Sequence, residues 1–497
     1  MYAPWFYYRS LSKRRHESET TVRPRLATAV VFGTSFSVLV LEILAGRLLA
    51  PLIGVSLETF TGIIGTVLAG IALGSAVGGR LADRRDPAHL IGPAVAVGGV
   101  LTWVAPVLVS ALDGLQSSDP FSIVLLAGVT FFAPAAVLSS VTPMVAKLLL
   151  SDLDETGRTV GNLSAAGTAG ALTGTFLTGF VLVAAVSTRT LMFAVGAALV
   201  VAGTLLTAWS RSRVNPLFVV LAAAAGLGAL TLSGSCDTET GYACVELVVD
   251  PANPAGRTLV LNRSRNSYVD VDDPTHLEFR YLRLFAAVID GTRPGPIEGL
   301  HLGGAGFTFP RYLNATRSDS SQTVLEIDGP LVDFTQRELG LGSAAGIEVV
   351  VGDARLTIAD LPDRRFDVVS ADAFSGLTVP WHLTTDEFVA ELDRVLRADG
   401  IVVMNVIDGG DLDFVRAEIA TYGLHFENVI VIAPPGGTAT GRARNYVLVV
   451  SHQAIPLPEI NPADGEILDP AQTQALAAGA EPLTDDFAPV DQMRRTR

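Results

Sequence analysis

Four acidic residues, Glu326, Asp328, Asp353 and Asp372, stand at the ends of apolar runs that follow a glycine-rich turn. The turn reads L-H-L-G-G-A-G-F and holds Gly303, Gly304 and Gly306. The next runs are T-V-L-E-I-D, then I-E-V-V-V into Gly352-Asp353-Ala354, then F-D-V-V-S-A into Asp372. Glycine lets the backbone turn sharply and come close to a ligand. A carboxylate accepts two hydroxyl hydrogen bonds at once, which suits the ribose diol of a nucleoside, and Glu326 stands where such folds hold it. Strand-end Asp and Glu are also common caps of the following helix. Their occurrence on successive strands favours binding.

These residues need strands to carry them and helices between the strands. The apolar runs alternate with helical patterns, and a further run, G-I-V-V-M-N-V-I, follows Asp399. That alternation predicts an α/β doubly wound domain with a parallel sheet, where ligands bind in the crevice at the carboxyl ends of the strands. The last two runs, N-V-I-V-I-A and N-Y-V-L-V-V-S, are joined by a Gly/Pro loop and predict an antiparallel ending. Two short strand-like runs, G-R-T-L-V-L-N and N-S-Y-V-D-V, predict a small β-subdomain before the main sheet.

The order G-G-x-G, E-I-D, G-D-A and F-D-V-V-x-x-D-A resembles the spermidine synthase branch of the class I methyltransferase fold. The match runs roughly from Gly256 to Asp408, with a family-like tail, L-T-D-D-F-A-P-V, from Leu483 to Val490. The resemblance implies aminopropyl transfer from decarboxylated S-adenosylmethionine, or binding of a related adenine nucleoside thioether, with no metal. It implies that Gly303, Gly304, Gly306, Glu326, Asp328, Asp353 and Ala354 form the nucleoside side. Glu326 then holds the ribose, Asp353 accepts from the adenine amino group, Asp372 accepts the amine proton, and Tyr281 is the tyrosine brought from the preceding subdomain. Two family acids are absent: Ser375 stands three residues after Asp372, and Gly306 stands in the glycine loop. An active aminopropyltransferase and a catalytically impaired nucleoside- or polyamine-binding domain, fused to a half-transporter-like membrane bundle in a sensor or transport role, both stay open, as does a methyltransferase acting on another nucleophile.

The front half is of another kind. Of 497 residues, 49% are hydrophobic and 17% charged, and the apolar residues crowd the first half. Spans of about 20 apolar residues are expected near 26–49, 59–79, 90–111, 121–146, 160–185, 188–209 and 214–233. This predicts an all-α polytopic bundle of about seven spans in the cell membrane. Arg80, Arg84, Arg85, Lys147, Arg158, Arg211 and Arg213 fall in alternate loops, so the amino terminus is expected in the cytoplasm, behind a basic tail with Arg9, Lys13, Arg14 and Arg15. An odd number of spans then sends the soluble domain outside. Cys236 and Cys244, the two cysteines of the chain, are expected to form an extracytoplasmic disulfide. The net charge of −15 argues against a nucleic-acid partner. The partners expected are the lipid bilayer and a small nucleoside with or without a polyamine, with a homodimer left open.

The resulting division is 1–25, a basic cytoplasmic tail; 26–233, the bundle; 234–290, a junction and the small β-subdomain; 291–455, the nucleotide-binding domain; and 456–497, a C-terminal tail. Glu42 is the one acid within the first span, where an unpaired charge costs roughly 3 kcal/mol. Pairing with Arg47 and a polar pathway are both open. The loop G-G-R-L-A-D-R-R-D-P, Gly78 to Pro87, resembles the short basic loop between the second and third helices of major facilitator transporters, of which the spans make about half.

Overall fold

The computed structural model describes residues 24–493 apart from 55, 113–119, 151–155, 211–214, 232–235, 341–345, 375–377, 439–442 and 457–458. The basic residues Arg9, Lys13, Arg14, Arg15, Arg211 and Arg213, and also Ser375, lie outside the described residues. The chain divides into two compact units, residues 1–49 with 58–234 and residues 50–57 with 235–497.

Among the described residues six helices, lying almost wholly in the first unit, are long and apolar enough to cross a membrane: Pro24–Ile53, Leu57–Arg84, Pro87–Ala111, Phe121–Leu149, Thr156–Leu182 and Thr188–Trp209. The segment expected as a seventh span holds a shorter helix, Pro216–Thr231, of 16 residues. Small residues bring the helices together at backbone distance. A Cβ on Gly74 would lie 2.0 Å from the Ala136 carbonyl oxygen, and one on Gly78 would lie 2.3 Å from that of Ser140. Such close approach is how helices gain contact when lipid offers no hydrophobic drive between them. The outward side chains are apolar, with Phe180 78% exposed and Leu205 65% exposed, a surface suited to hydrocarbon. Glu42 sits part-buried within the first helix.

The second unit opens with a four-stranded antiparallel sheet in the order β1 (Thr238–Glu239), β2 (Cys244–Val249), β3 (Gly256–Leu261) and β4 (Ser264–Asp270). Helix Arg280–Thr292 leads from it into the main sheet. That sheet contains β5 (Glu298–Leu302), β6 (Ser321–Glu326), β7 (Ile347–Val351), β8 (Phe366–Ala371), β9 (Leu396–Asp408), β10 (Asn428–Ala433), β11 (Arg444–Ser451) and β12 (Glu466–Leu468). Their spatial order is β12-β10-β11-β9-β8-β5-β6-β7. The five strands from β7 to β9 are parallel, and β11, β10 and the unanticipated β12 add antiparallel pairs. β5 and β8 are nearly continuous buried runs because helices cover both faces of a parallel sheet.

β5 pairs with β6 on one side and with β8 on the other. The chain therefore builds outward from β5 in one direction and then crosses to build in the other, leaving a crevice at the carboxyl ends where the direction reverses. Beneath it lies a polar row. His301 Nε2 stands 2.8 Å from Gln322 Oε1, and its Nδ1 stands 2.6 Å from Ser370 Oγ. Because the Gln322 amide nitrogen donates to Asn314 Oδ1 at 3.0 Å, its oxygen must accept. His301 thus carries its proton on Nε2 and accepts from Ser370 at Nδ1. Burial pushes the imidazole down to about 4, so it is neutral and ties β5, β6 and β8 together without charge.

Candidate functional site

The glycine loop leaves β5 with Gly303 at φ +86°, a left-handed backbone reached without penalty only by glycine. A Cβ at Gly303 would come within 2.8 Å of the Asp372 carbonyl oxygen, so the same position lets β5 and β8 close on each other. Ala305 and Phe307 also have positive φ, 40° and 53°, strain of the kind that collects at ligand loops. Gly306 is constrained differently. A Cβ there would lie 2.8 Å from Ser267 Cβ and 2.9 Å from Val269 Cγ2, so β4 occupies the room a side chain would take.

Glu326, at the end of β6, is 7% exposed and is held by backbone. Its Oε2 accepts the N–H groups of Gly304 at 2.7 Å and Ala305 at 3.2 Å, and its Oε1 accepts that of Asp328 at 3.0 Å. Of the roughly four acceptor positions on a carboxylate, three are already used. Accepting both ribose hydroxyls therefore requires the longer Ala305 bond to open. The capping alternative is realised at Asp328, also past β6, and at Asp353, past β7. Asp328 caps helix Gly329–Glu338, accepting the Leu331 N–H at 3.2 Å, and Asp353 caps helix Ala354–Thr357, accepting the Arg355 N–H at 2.9 Å. Asp353 keeps its second oxygen turned to His382, whose Nε2 is 3.1 Å away. Ala354 is buried as the first residue of that short helix.

Asp372, just past β8, receives the Tyr281 hydroxyl at 2.7 Å on one oxygen and the Asn405 amide at 2.9 Å on the other. Asn405 is itself oriented by Asn445, which donates to its Oδ1 at 2.9 Å. Asp372 keeps a little accessible surface but lies deep among protein atoms, and the depth governs its proton affinity. Burial pushes its carboxyl up to about 6, while the hydrogen bonds from Asn405 and Tyr281 pull the other way. Tyr281 stays protonated, because burial first and the nearby Asp372 charge second push its phenol well above its ordinary value. The arrangement is a carboxyl poised near neutrality, oriented on both oxygens and set beside the glycine loop, as a proton acceptor needs.

Sequence reading did not single out Asn405 or Asn445. A polar residue inside the apolar run V-V-M-N-V-I was the available signal for Asn405. The tail from Leu483 to Val490 docks on this domain: the Asp386 N–H donates to the Leu483 carbonyl at 2.8 Å, and Asp485 accepts from Thr385 at 2.7 Å and Arg355 at 2.6 Å. Cys236 and Cys244 are joined as a disulfide. Among the described residues no group of three or more His, Cys, Asp or Glu could hold a metal ion.

No family model matches the chain. Over 158 residues it is 30% identical to the polyamine aminopropyltransferase of Vibrio vulnificus, a stretch covering 31% of this chain and 51% of that one. Over 132 residues it is 32% identical to the polyamine aminopropyltransferase of Bacillus cytotoxicus, covering 25% and 47%. The crystal structure of a probable spermidine synthase from Corynebacterium glutamicum aligns at a TM-score of 0.47 and 27% identity, covering 50% of this chain and 95% of that one. The chain thus spans about half the length of the curated relatives it matches. The matched segment is similar to polyamine aminopropyltransferases, which supports a spermidine synthase-like family for it.

Proposed function

We propose that the chain is an integral-membrane aminopropyltransferase of the spermidine synthase type, taking decarboxylated S-adenosylmethionine as donor and a polyamine such as putrescine as acceptor. The observation that carries this reading is the Asp372 carboxyl, raised toward neutrality and gripped by Tyr281 and Asn405 beside the glycine loop. In the reaction a neutral amine attacks the methylene bound to the sulfonium. The C–N bond forms, the C–S bond breaks with its electron pair left on sulfur, and the surplus proton of the new ammonium passes to Asp372. On the nucleoside side Glu326 takes the ribose and Asp353 the adenine amino group, with Gly303, Gly304, Gly306, Asp328 and Ala354 shaping the wall.

One observation favours the second reading, a nucleoside- or polyamine-binding domain with impaired catalysis. The position of the absent loop acid, Gly306, is closed by Ser267 and Val269, so the pocket is built without that ammonium anchor. Turnover with putrescine is accordingly slow, since misplacing a nucleophile by about 1 Å costs on the order of 100-fold. For the front half we propose seven spans with the last at Pro216–Thr231, an N-terminus in the cytoplasm and the soluble domain outside. The division into tail, bundle, β-subdomain, nucleotide domain and C-terminal tail follows the boundaries given above.

Donor choice tests the reading. The purified full chain is incubated with putrescine and either decarboxylated S-adenosylmethionine or S-adenosylmethionine, and the nucleoside products are separated. Release of methylthioadenosine from the first donor alone supports aminopropyl transfer. Release of S-adenosylhomocysteine from the second would make the domain a methyltransferase.

A further inference from the structure

The short hairpin ahead of the main sheet reaches the crevice. Cys236 and Cys244 close a loop whose Cα ends are 5.4 Å apart. Inside it Thr240 is 2% exposed, and its hydroxyl accepts the N–H groups of Tyr242 at 3.1 Å and Ala243 at 2.9 Å while donating to the Asp328 carboxylate. Ala243 and Val245 pack with Leu331 and Phe334 of the helix that follows β6, and Ala305 of the glycine loop joins the same apolar cluster. The loop is therefore seated where Glu326 and Asp328 end β6, from an origin 88 residues away in sequence.

Tyr242, in contrast, is left 56% exposed. Its backbone is tied to Thr240, which is bonded to Asp328, and its phenol is pushed up by partial burial first and then by the charges of Asp328, Asp353 and Glu326. Ile327, between two of those acids, is 42% exposed, and Val351 at the end of β7 is 56% exposed. An open aromatic ring and an apolar rim around hydrogen-bond acceptors match what a purine nucleoside presents: flat π faces with an amino group and hydroxyls at the edge.

We propose that the disulfide-closed loop is a wall of the nucleoside site, with Tyr242 the ring that covers a bound purine and Thr240 the pin that seats the loop on Asp328. This rests on the nucleoside reading of Glu326 and Asp353. β1 contributes only two residues of pairing to β2, Thr238 with Val245 and Glu239 with Cys244. The covalent link thus adds to the Thr240–Asp328 bond and the Ala243 packing in holding the loop, and opening it returns conformational freedom that ligand binding must then remove. The oxidised chain binds nucleoside more tightly than the reduced one.

Methylthioadenosine binding to the detergent-solubilised full chain, measured by calorimetry, tests this. Tyr242→Ala weakens binding on the order of 10-fold, the scale of one lost base–aromatic stack, and Tyr242→Phe stays within about twofold. Wild type treated with a reductant, and the Cys236→Ser, Cys244→Ser double variant, both bind more weakly than the oxidised chain. Because Tyr242 is exposed, its variants report on the site even where the cysteine variant folds poorly. Equal affinity of oxidised wild type, reduced wild type and Tyr242→Ala overturns the loop assignment while leaving the nucleoside reading intact. No binding to oxidised wild type overturns both.

Discussion

Asp372 takes a proton only when ionised, and burial sets where that happens. With its carboxyl raised to about 6, the ionised fraction grows as pH rises through that value. The rate of transfer is therefore expected to climb tenfold per unit below about pH 6 and to level above it, after allowance for the acceptor amine's own titration. Tyr281→Phe removes a hydrogen bond that favours the charged form, so the acid limb of the pH–rate profile shifts to higher pH. A limb that does not move would detach Tyr281 from the base. At Gly306 the expectation is opposite to simple restoration of the family pattern. Gly306→Asp puts a side chain against Ser267 and Val269, and steady-state assays should show lower turnover than wild type, not higher.

Helix Asp413–Tyr422 carries a cost of its own. Glu418 is fully buried with no hydrogen-bond partner for either carboxyl oxygen, and burial holds its pKa well above the ordinary carboxylate range. The folded chain binds this proton more tightly than the unfolded one. Its contribution to stability is most favourable below the unfolded value of about 4.5 and is lost as pH rises toward the folded value. Glu418→Met should therefore raise the unfolding temperature at pH 8 more than at pH 5, by roughly 2–4 °C per kcal/mol recovered. Equal gains at the two pH values would contradict the assignment. Elements of this domain were largely legible, because parallel strands covered on both faces are unbroken apolar runs and the glycine loop must follow the first of them. Contacts across strands were not. Asn405 meets Asp372 only because β9 pairs with β8, and Thr240 meets Asp328 only because the small sheet folds against the helix after β6. Neither spacing leaves a periodic trace. In the front half the apolar windows gave the six long helices, whereas the seventh window, cut by Asn215 and Pro216, yields a helix of 16 residues.

For the whole molecule, the parity of the spans decides where the soluble domain works. On the proposed topology, seven spans from a cytoplasmic start would put Cys236 and Cys244 outside, where a disulfide persists. A membrane-impermeant thiol reagent applied to intact cells should label the pair only after an impermeant reductant, and labelling that requires cell lysis would put the domain in the cytoplasm. The soluble domain has its strand-end acids on one edge of a single sheet, and among them Asp372 alone combines burial, two oriented hydrogen bonds and a pKa near neutrality. The most direct test is methylthioadenosine release from decarboxylated S-adenosylmethionine with putrescine, measured at pH 8 for wild type and Asp372→Asn alongside methylthioadenosine binding to both. Slow release by wild type and at least 100-fold less by Asp372→Asn, with binding retained in each, is the predicted result. Equal release by the two proteins, or binding without release by wild type, would contradict it.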